Sequence, residues 1–241
     1  MGKIRLHKAI ADAGVASRRA AEKMIAEGRV AVNGETVTTM GVMVDPRSDS
    51  IVIDGISLQG PRKKRTYLVY KPENVICTRH DPEGRRTVFD LLPEDLREGL
   101  HSAGRLDYDA EGLIILTNDG DLTLHLTHPK HHISKTYMVK LKGKIGPRSI
   151  KRLRDGVELD DGRTLPAMIT LVESERSRKN SWIRMTLLEG RRNQIKRMAA
   201  AVDHPVLSIM RIAIGPIQVT RRMKPGTFRK LAPAEIKALY D

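Results

Sequence analysis

A chain of 241 residues is long enough to bury a full core, and its 43 Lys and Arg against 29 Asp and Glu leave a net charge of +14. That field suits a polyanionic partner; attachment to a membrane would need an apolar anchor, and no run approaches the ~20 residues of a spanning helix. The single cysteine, Cys77, excludes an internal disulfide framework and any multi-cysteine metal site, and the opening MGKIRLHKAIADAG lacks a continuous apolar signal core, so a cytoplasmic protein is expected.

Residues 3–58 read as a small unit of two helices and a short sheet. Leu6, Ile10 and Ala13 fall at helical spacing ahead of Gly14. Ser17 can then cap a second helix that turns Ala20, Met24 and Ile25 inward and closes at Gly28. RVAVNGETV alternates Val30 and Val32 before an Asn33-Gly34 turn, and SIVIDG alternates Ile51 and Ile53. Arg18, Arg19 and Lys23 on the second helix, with Arg29 past its end, form a solvated face that the overall charge turns into a candidate phosphate-binding surface. The unit is taken as 1–59.

Residues 60–66, within QGPRKKRT, read as a basic linker, with Arg62, Lys63, Lys64 and Arg65 as further RNA contacts. From 67 to 241, TYLVYKP, GLIILTND, KTYMVKL, AMITLVE and WIRMTLLEG read as strands. GDLTLHLTH, PRSIKRLRDG, RNQIKRMAAAV and PAEIKALY read as helices. The order has no repeating βα period. The expected class is α+β: a small N-terminal α/β RNA-binding module, then a larger domain with a mixed, mostly antiparallel sheet flanked by helices.

GRLDYDAEGLIILTNDGDL places five carboxylates in a basic chain. Asp107, Asp109, Glu111 and Gly112 open like a calcium loop, but Asn118 stands where a bidentate Glu is needed and LIILT is a strand. His125, His128, His131 and His132 lack an acidic or thiolate partner on one rigid element, so surface or RNA-facing roles are favoured and no metal is expected. Most of the acids fit turns and caps. Asp107 differs, lying beside Arg105 ahead of the turn that feeds the strand. Neither GxGxxG nor a Walker pattern is present, so no nucleotide cofactor is expected. An aspartate acting on a ribose carbon needs only a cation to hold it charged and a surface for the base.

The stretch GRLDYDAEGLIILTNDG resembles the catalytic motif of RNA pseudouridine synthases, in the branch that modifies bacterial ribosomal RNA. VYKP, KTYMVKLKG, EGRRNQIKRM and MKPGTFRKLAP resemble that family's first motif, Tyr-bearing strand, third motif and C-terminal stretch. The first 58 residues resemble the S-four-like RNA-binding module. The resemblance implies that Asp107 attacks the sugar carbon or removes its neighbouring proton, that Arg105 fills the space of the flipped nucleotide, and that Tyr137 stacks on the base. It implies too that Lys196 pairs with the catalytic aspartate and that Ile195 lies beside the base, with Lys71, Arg191 and Arg192 as further substrate contacts. On a helix, Ile195, Met198, Ala199 and Val202 make one apolar stripe, with Arg192 and Lys196 along its edge. Ala110 departs from the usual Thr or Ser, leaving Asp109 or Glu111 to supply the missing hydrogen bond, and RRNQ is an uncommon wording of the third motif.

HDPEGRRTVFDLLP resembles a segment of large-subunit rRNA synthases of the B type, so large-subunit rRNA, naked or partly assembled, is the expected partner and small-subunit rRNA the alternative. A non-catalytic RNA-binding or ribosome-assembly factor would use the same basic surface and tolerate loss of Asp107. A magnesium-dependent RNA enzyme would fail in chelator. A monomer without cofactors is expected.

Overall fold

A computed structural model describes residues 2–172 and 179–241; the last residue of AMITLVE, Glu173, lies outside them. The chain divides into two compact units, one running up to Lys64 and including Asn118–Gly120, the other comprising Arg65–Thr117 and Asp121–Asp241. The division falls inside the basic stretch. Thr66 already belongs to a strand, and Arg62, Lys64 and Arg65 are tied down through Ala13 O, Asp119 and Glu98 O, so those cations are anchored rather than part of a free tether.

In the first unit, β1 (Ile4–Arg5) leads into α1 (Leu6–Asp12), and Ser17 Oγ accepts from Ala20 N at the start of α2 (Arg18–Ala26). A short sheet follows, built from β2 (Val30–Val32), β3 (Glu35–Val37), β5 (Ile51–Ile53) and β6 (Ile56–Ser57), with β4 (Met43–Val44) paired to β1. Asn33 and Gly34 both have positive φ, which the tight β2–β3 turn requires. Leu6, Ile10, Ala21, Ile25, Val30, Ile51 and Ile53 form its core. The inward residue at the start of α2 is Ala21 and not Ala20, which is exposed because it occupies the capped first turn.

The second unit carries a nine-stranded sheet. Its elements in chain order are β7 (Thr66–Lys71), α3 (Glu94–Arg97), β8 (His101–Ser102), β9 (Glu111–Thr117), α4 (Gly120–Thr127), β10 (Lys135–Leu141), α5 (Pro147–Asp155), β11 (Met168–Val172), β12 (Ser181–Leu187), α6 (Gln194–Ala200), β13 (Val206–Ile214), β14 (Ile217–Gln218), β15 (Phe228–Lys230) and α7 (Pro233–Ala238). The main strand order is β11-β12-β10-β13-β9-β7-β15, antiparallel except where β13 and β9 run parallel. Strands β7 and β9 are buried on both faces, which explains their unbroken apolar composition. Tyr67, Val69, Ile114 and Leu116 face a large core that includes Ile150 and Leu153 of α5 and Ile195 and Met198 of α6. Leu68, Leu113 and Ile115 face a smaller one under α4 and α7.

Every expected strand and helix of this unit is present. The strands not anticipated are the short β8, β14 and β15 and the nine-residue β13, which joins the β10 half of the sheet to the β9 half. The inward face of β13 carries Arg211 between Ile209 and Ala213, and a charged residue at that position breaks the apolar alternation by which a strand is read. Gly112 makes the junction possible: a Cβ there would lie 2.3 Å from the carbonyl oxygen of Arg211. No helix of the described residues is long and apolar enough to cross a membrane.

Candidate active site

A cleft of about 340 Å³ opens between the loop before β9, the start of β10 and the turn into α6. Its walls include Arg105, Asp107, Lys135, Tyr137, Arg191, Arg192, Ile195, Lys196 and Arg211.

The loop that carries Asp107 is fixed from below. Leu106 is buried and its N–H donates to Cys77 Sγ at 3.4 Å; burial pushes the Cys77 thiol up, so it stays a neutral acceptor. Tyr108 O accepts from Asn74 N at 2.8 Å, and Ala110 N–H donates to Asp107 O at 3.2 Å. Lys71 completes the support. Its Nζ donates to Ala110 O at 2.6 Å, Pro72 O at 2.9 Å and Tyr108 O at 3.4 Å. Lys71 is wholly buried, and burial lowers its pKa against the raising influence of Cys77, Asp109, Glu73 and Asp107. The expectation that Lys71 contacts substrate is therefore corrected: its ammonium is consumed by backbone carbonyls beneath the loop.

Asp107 is exposed on the cleft and makes no ion pair or side-chain hydrogen bond among the described residues. Lys196 reaches instead to Asp109, at 2.6 Å from Oδ1 and 2.7 Å from Oδ2. The expected pairing of Lys196 with Asp107 is thus corrected, because the carboxylate two residues on lies nearer the ammonium. That bond holds the Asp109 carboxyl below its ordinary pKa, against burial. Tyr137 and Ile195 are buried in the wall, and Ile195, Met198, Ala199 and Val202 point into the core as the stripe requires. Arg192 lies before α6, in the turn ended by Asn193 at φ 51, so it shares no helix face with Lys196.

Arg191 lines the cleft with most of its guanidinium engaged. It donates to Glu189 Oε2, Asp161 Oδ1, Gly162 O and Arg163 O at 3.1, 3.1, 2.7 and 2.6 Å, which fastens the 161–163 loop to the turn before α6 and leaves one Nη2 N–H for a ligand. Arg29 is exposed and paired, Asp54 binding it in two-pronged fashion at 2.9 and 2.6 Å and Glu27 at 3.3 Å. Arg18, Arg19, Lys23 and Lys63 remain exposed in the first unit, Lys23 within 3.6 Å of Glu27.

Lys135 and Arg211 also line the cleft, and sequence reading passed over both. The available signal was Lys135 two residues before Tyr137 on one strand, which puts both on one face. Burial, aided by the charge of Arg211, pushes the Lys135 pKa down to about 8 from 10.5. Folding therefore favours the neutral amine. The destabilisation is complete below pH 8 and fades as pH rises toward 10.5, where the unfolded chain also loses the proton. Lys135→Met is expected to raise the melting temperature at pH 7, with the gain shrinking between pH 8 and 10.5; a thermal melt series over pH 7–10 measures it.

His125 stacks on His131 and on Tyr240 at 4.4 and 4.6 Å between ring centroids, and His125 Nε2 lies 2.9 Å from Leu239 O. Among the described residues no group of three or more His, Cys, Asp or Glu is placed to hold a metal ion.

Residues 65–201 match the family described as RNA pseudouridylate synthase, and residues 4–51 match the S4 domain. Over 241 residues the chain is 41% identical to an RNA pseudouridine synthase of Aquifex aeolicus, covering 100% of this chain and 95% of that one. It is 41% identical over 236 residues to ribosomal large subunit pseudouridine synthase B of Bacillus subtilis, covering 98% and 95%. A solved pseudouridylate synthase superposes with a TM-score of 0.70 at 32% identity, over 98% of this chain and 99% of the other. With the fold, the cleft and the sequence in agreement from end to end, the chain belongs to the RNA pseudouridylate synthase family and is an RNA pseudouridine synthase with an N-terminal S4 domain.

Proposed function

We propose that this enzyme converts a specific uridine of large-subunit ribosomal RNA to pseudouridine in the cytoplasm, with Asp107 as the group acting at the sugar. The reading is carried by one observation: Asp107 is a carboxylate on the cleft that the fold supports from below yet leaves without a partner among the described residues, in a cleft also lined by Tyr137 and Ile195. The C1′–N1 bond breaks with its electron pair going to the base, the base turns, C5 bonds to C1′, and the C5 proton is released. Asp107 serves either by bonding to C1′ as N1 leaves and being displaced when C5 bonds there, or by taking the neighbouring C2′ proton as N1 leaves and returning it to C2′ when C5 bonds to C1′. Tyr137 offers a flat face to the loose base, and Arg105 fills its place in the RNA, offsetting part of the few kcal/mol that extruding a nucleotide costs. A large-subunit substrate is supported by the printed name of the Bacillus subtilis relative and by the HDPEGRRTVFDLLP segment.

The test maps pseudouridine by carbodiimide-blocked reverse transcription on large- and small-subunit rRNA fragments and on immature particles, in chelator. A discrete stop on large-subunit RNA is expected. A stop only on small-subunit RNA moves the substrate, loss of activity in chelator favours a metal-dependent reaction, and no stop on any RNA leaves a binding factor. In the first unit, Arg18→Ala with Arg19→Ala is expected to weaken rRNA binding at every sequence. The slope of log affinity against log salt should fall by about 1 for each phosphate contact removed.

A further inference from the structure

Arg211 stands out as a buried cation with an unfilled donor. It is 4% exposed, its Nε donates to Leu113 O at 2.6 Å and its Nη1 to Arg105 O at 3.5 Å, while Nη2 is buried without a hydrogen-bond partner. A guanidinium does not shed its proton, and a buried unpaired N–H is costly, so this donor calls for a guest. The register between β10 and β13 shifts after Thr136, so that Arg211, in place of Ile212, stands opposite Tyr137. Such an irregularity re-aims side chains. Two residues along β10, Lys135 lines the same cleft, its Nζ donating to Ile133 O at 3.0 Å. Neither Lys135 nor Arg211 has a carboxylate partner among the described residues. Two uncompensated cations thus flank the tyrosine on the deep wall, whereas Arg105 and Arg192 are exposed, where phosphates would remain hydrated.

We infer that Arg211, assisted by Lys135, binds a carbonyl oxygen of the target uracil and takes up the negative charge that the base acquires as it leaves C1′. The inference rests on the uridine-isomerising reading above. When the C1′–N1 bond breaks, the electron pair spreads over N1 and the carbonyl oxygens, and it returns to carbon as the C1′–C5 bond forms. Donors already fixed and desolvated at that oxygen stabilise the departing base without reorganising. The depressed pKa of Lys135 is consistent with a site that lacks an anion until substrate arrives.

The experiment compares single-turnover rates on RNA carrying uridine, 2-thiouridine or 4-thiouridine at the mapped target, using wild type, Arg211→Met and Lys135→Met. Sulfur is the weaker acceptor, so wild type is expected to slow about tenfold with one of the two thio bases. Arg211→Met is expected to be ~100-fold slower on uridine, to bind RNA within about twofold of wild type, and to respond less than about twofold to that sulfur. Lys135→Met, at a half-buried position, carries the same comparison should Arg211→Met not fold. A merely structural role would lower all rates equally and keep the sulfur effect. Sulfur effects equal in variants and wild type, or absent in wild type, overturn the inference alone. Failure of wild type to isomerise any uridine overturns the functional reading and this inference together.

Discussion

Asp107→Asn is expected to abolish pseudouridine formation, a fall of about 10⁴-fold or more in kcat, with RNA affinity within about twofold of wild type. The side chain is exposed on the cleft and bonds to no other group, so the amide replaces it without loss of packing or of an ion pair. Melting temperature should therefore be unchanged. The informative control is Asp109→Asn, because Asp109 holds Lys196 and lies only two residues away. If Asp109→Asn stops the reaction and Asp107→Asn does not, the acting carboxylate has been misassigned. The comparison is insensitive to pH over 6–8. Asp109 is held below its ordinary pKa of 3.8 by Lys196, so the stability that the pair contributes is present above that value and lost only as pH falls below it.

Lys71→Met is expected to destabilise the catalytic unit by about 2 kcal/mol and to lower kcat much more than it weakens RNA binding. Three carbonyls, those of Pro72, Tyr108 and Ala110, lose a charged donor, the last of them in a buried bond. Part of that loss is offset because a desolvated ammonium disappears too, which is why the figure is smaller than three charge-assisted bonds would suggest. At about 2–4 °C per kcal/mol for a unit of this size, the melting temperature should drop ~4–8 °C. Tyr108 and Ala110 lie in the loop of Asp107, so loosening them spreads the positions open to that carboxylate, and on the proposed role of Asp107 such misplacement costs rate before affinity. An unchanged melt with normal kcat would show that the loop is held by Leu106 and Asn74 alone.

The sequence by itself determined the two-unit α+β plan, the elements with clean periodicity and several, but not all, of the residues bordering the cleft. Strands such as KTYMVKL and helices such as QIKRMAA carry their partners' geometry in local spacing, and 3.6- and 2-residue periods survive any tertiary context that buries one face. Asp107, Tyr137, Ile195 and Lys196 were identified as site residues by resemblance, and the cleft gathers all four. What only the tertiary structure decided was which charges are already spent. Lys71, Arg29 and Arg191 look in sequence like any other cations, yet each is engaged by groups 25 or more residues away: Ala110, Asp54 and Asp161. Lys196 was expected on Asp107 and sits on Asp109. Ion pairing depends on sub-ångström differences in three-dimensional distance, and spacing along the chain holds no record of them. The same reason hid Arg211: a buried arginine interrupts the pattern of its strand, and only the meeting of β9, β10 and β13 places it in the cleft wall with one donor left without a partner.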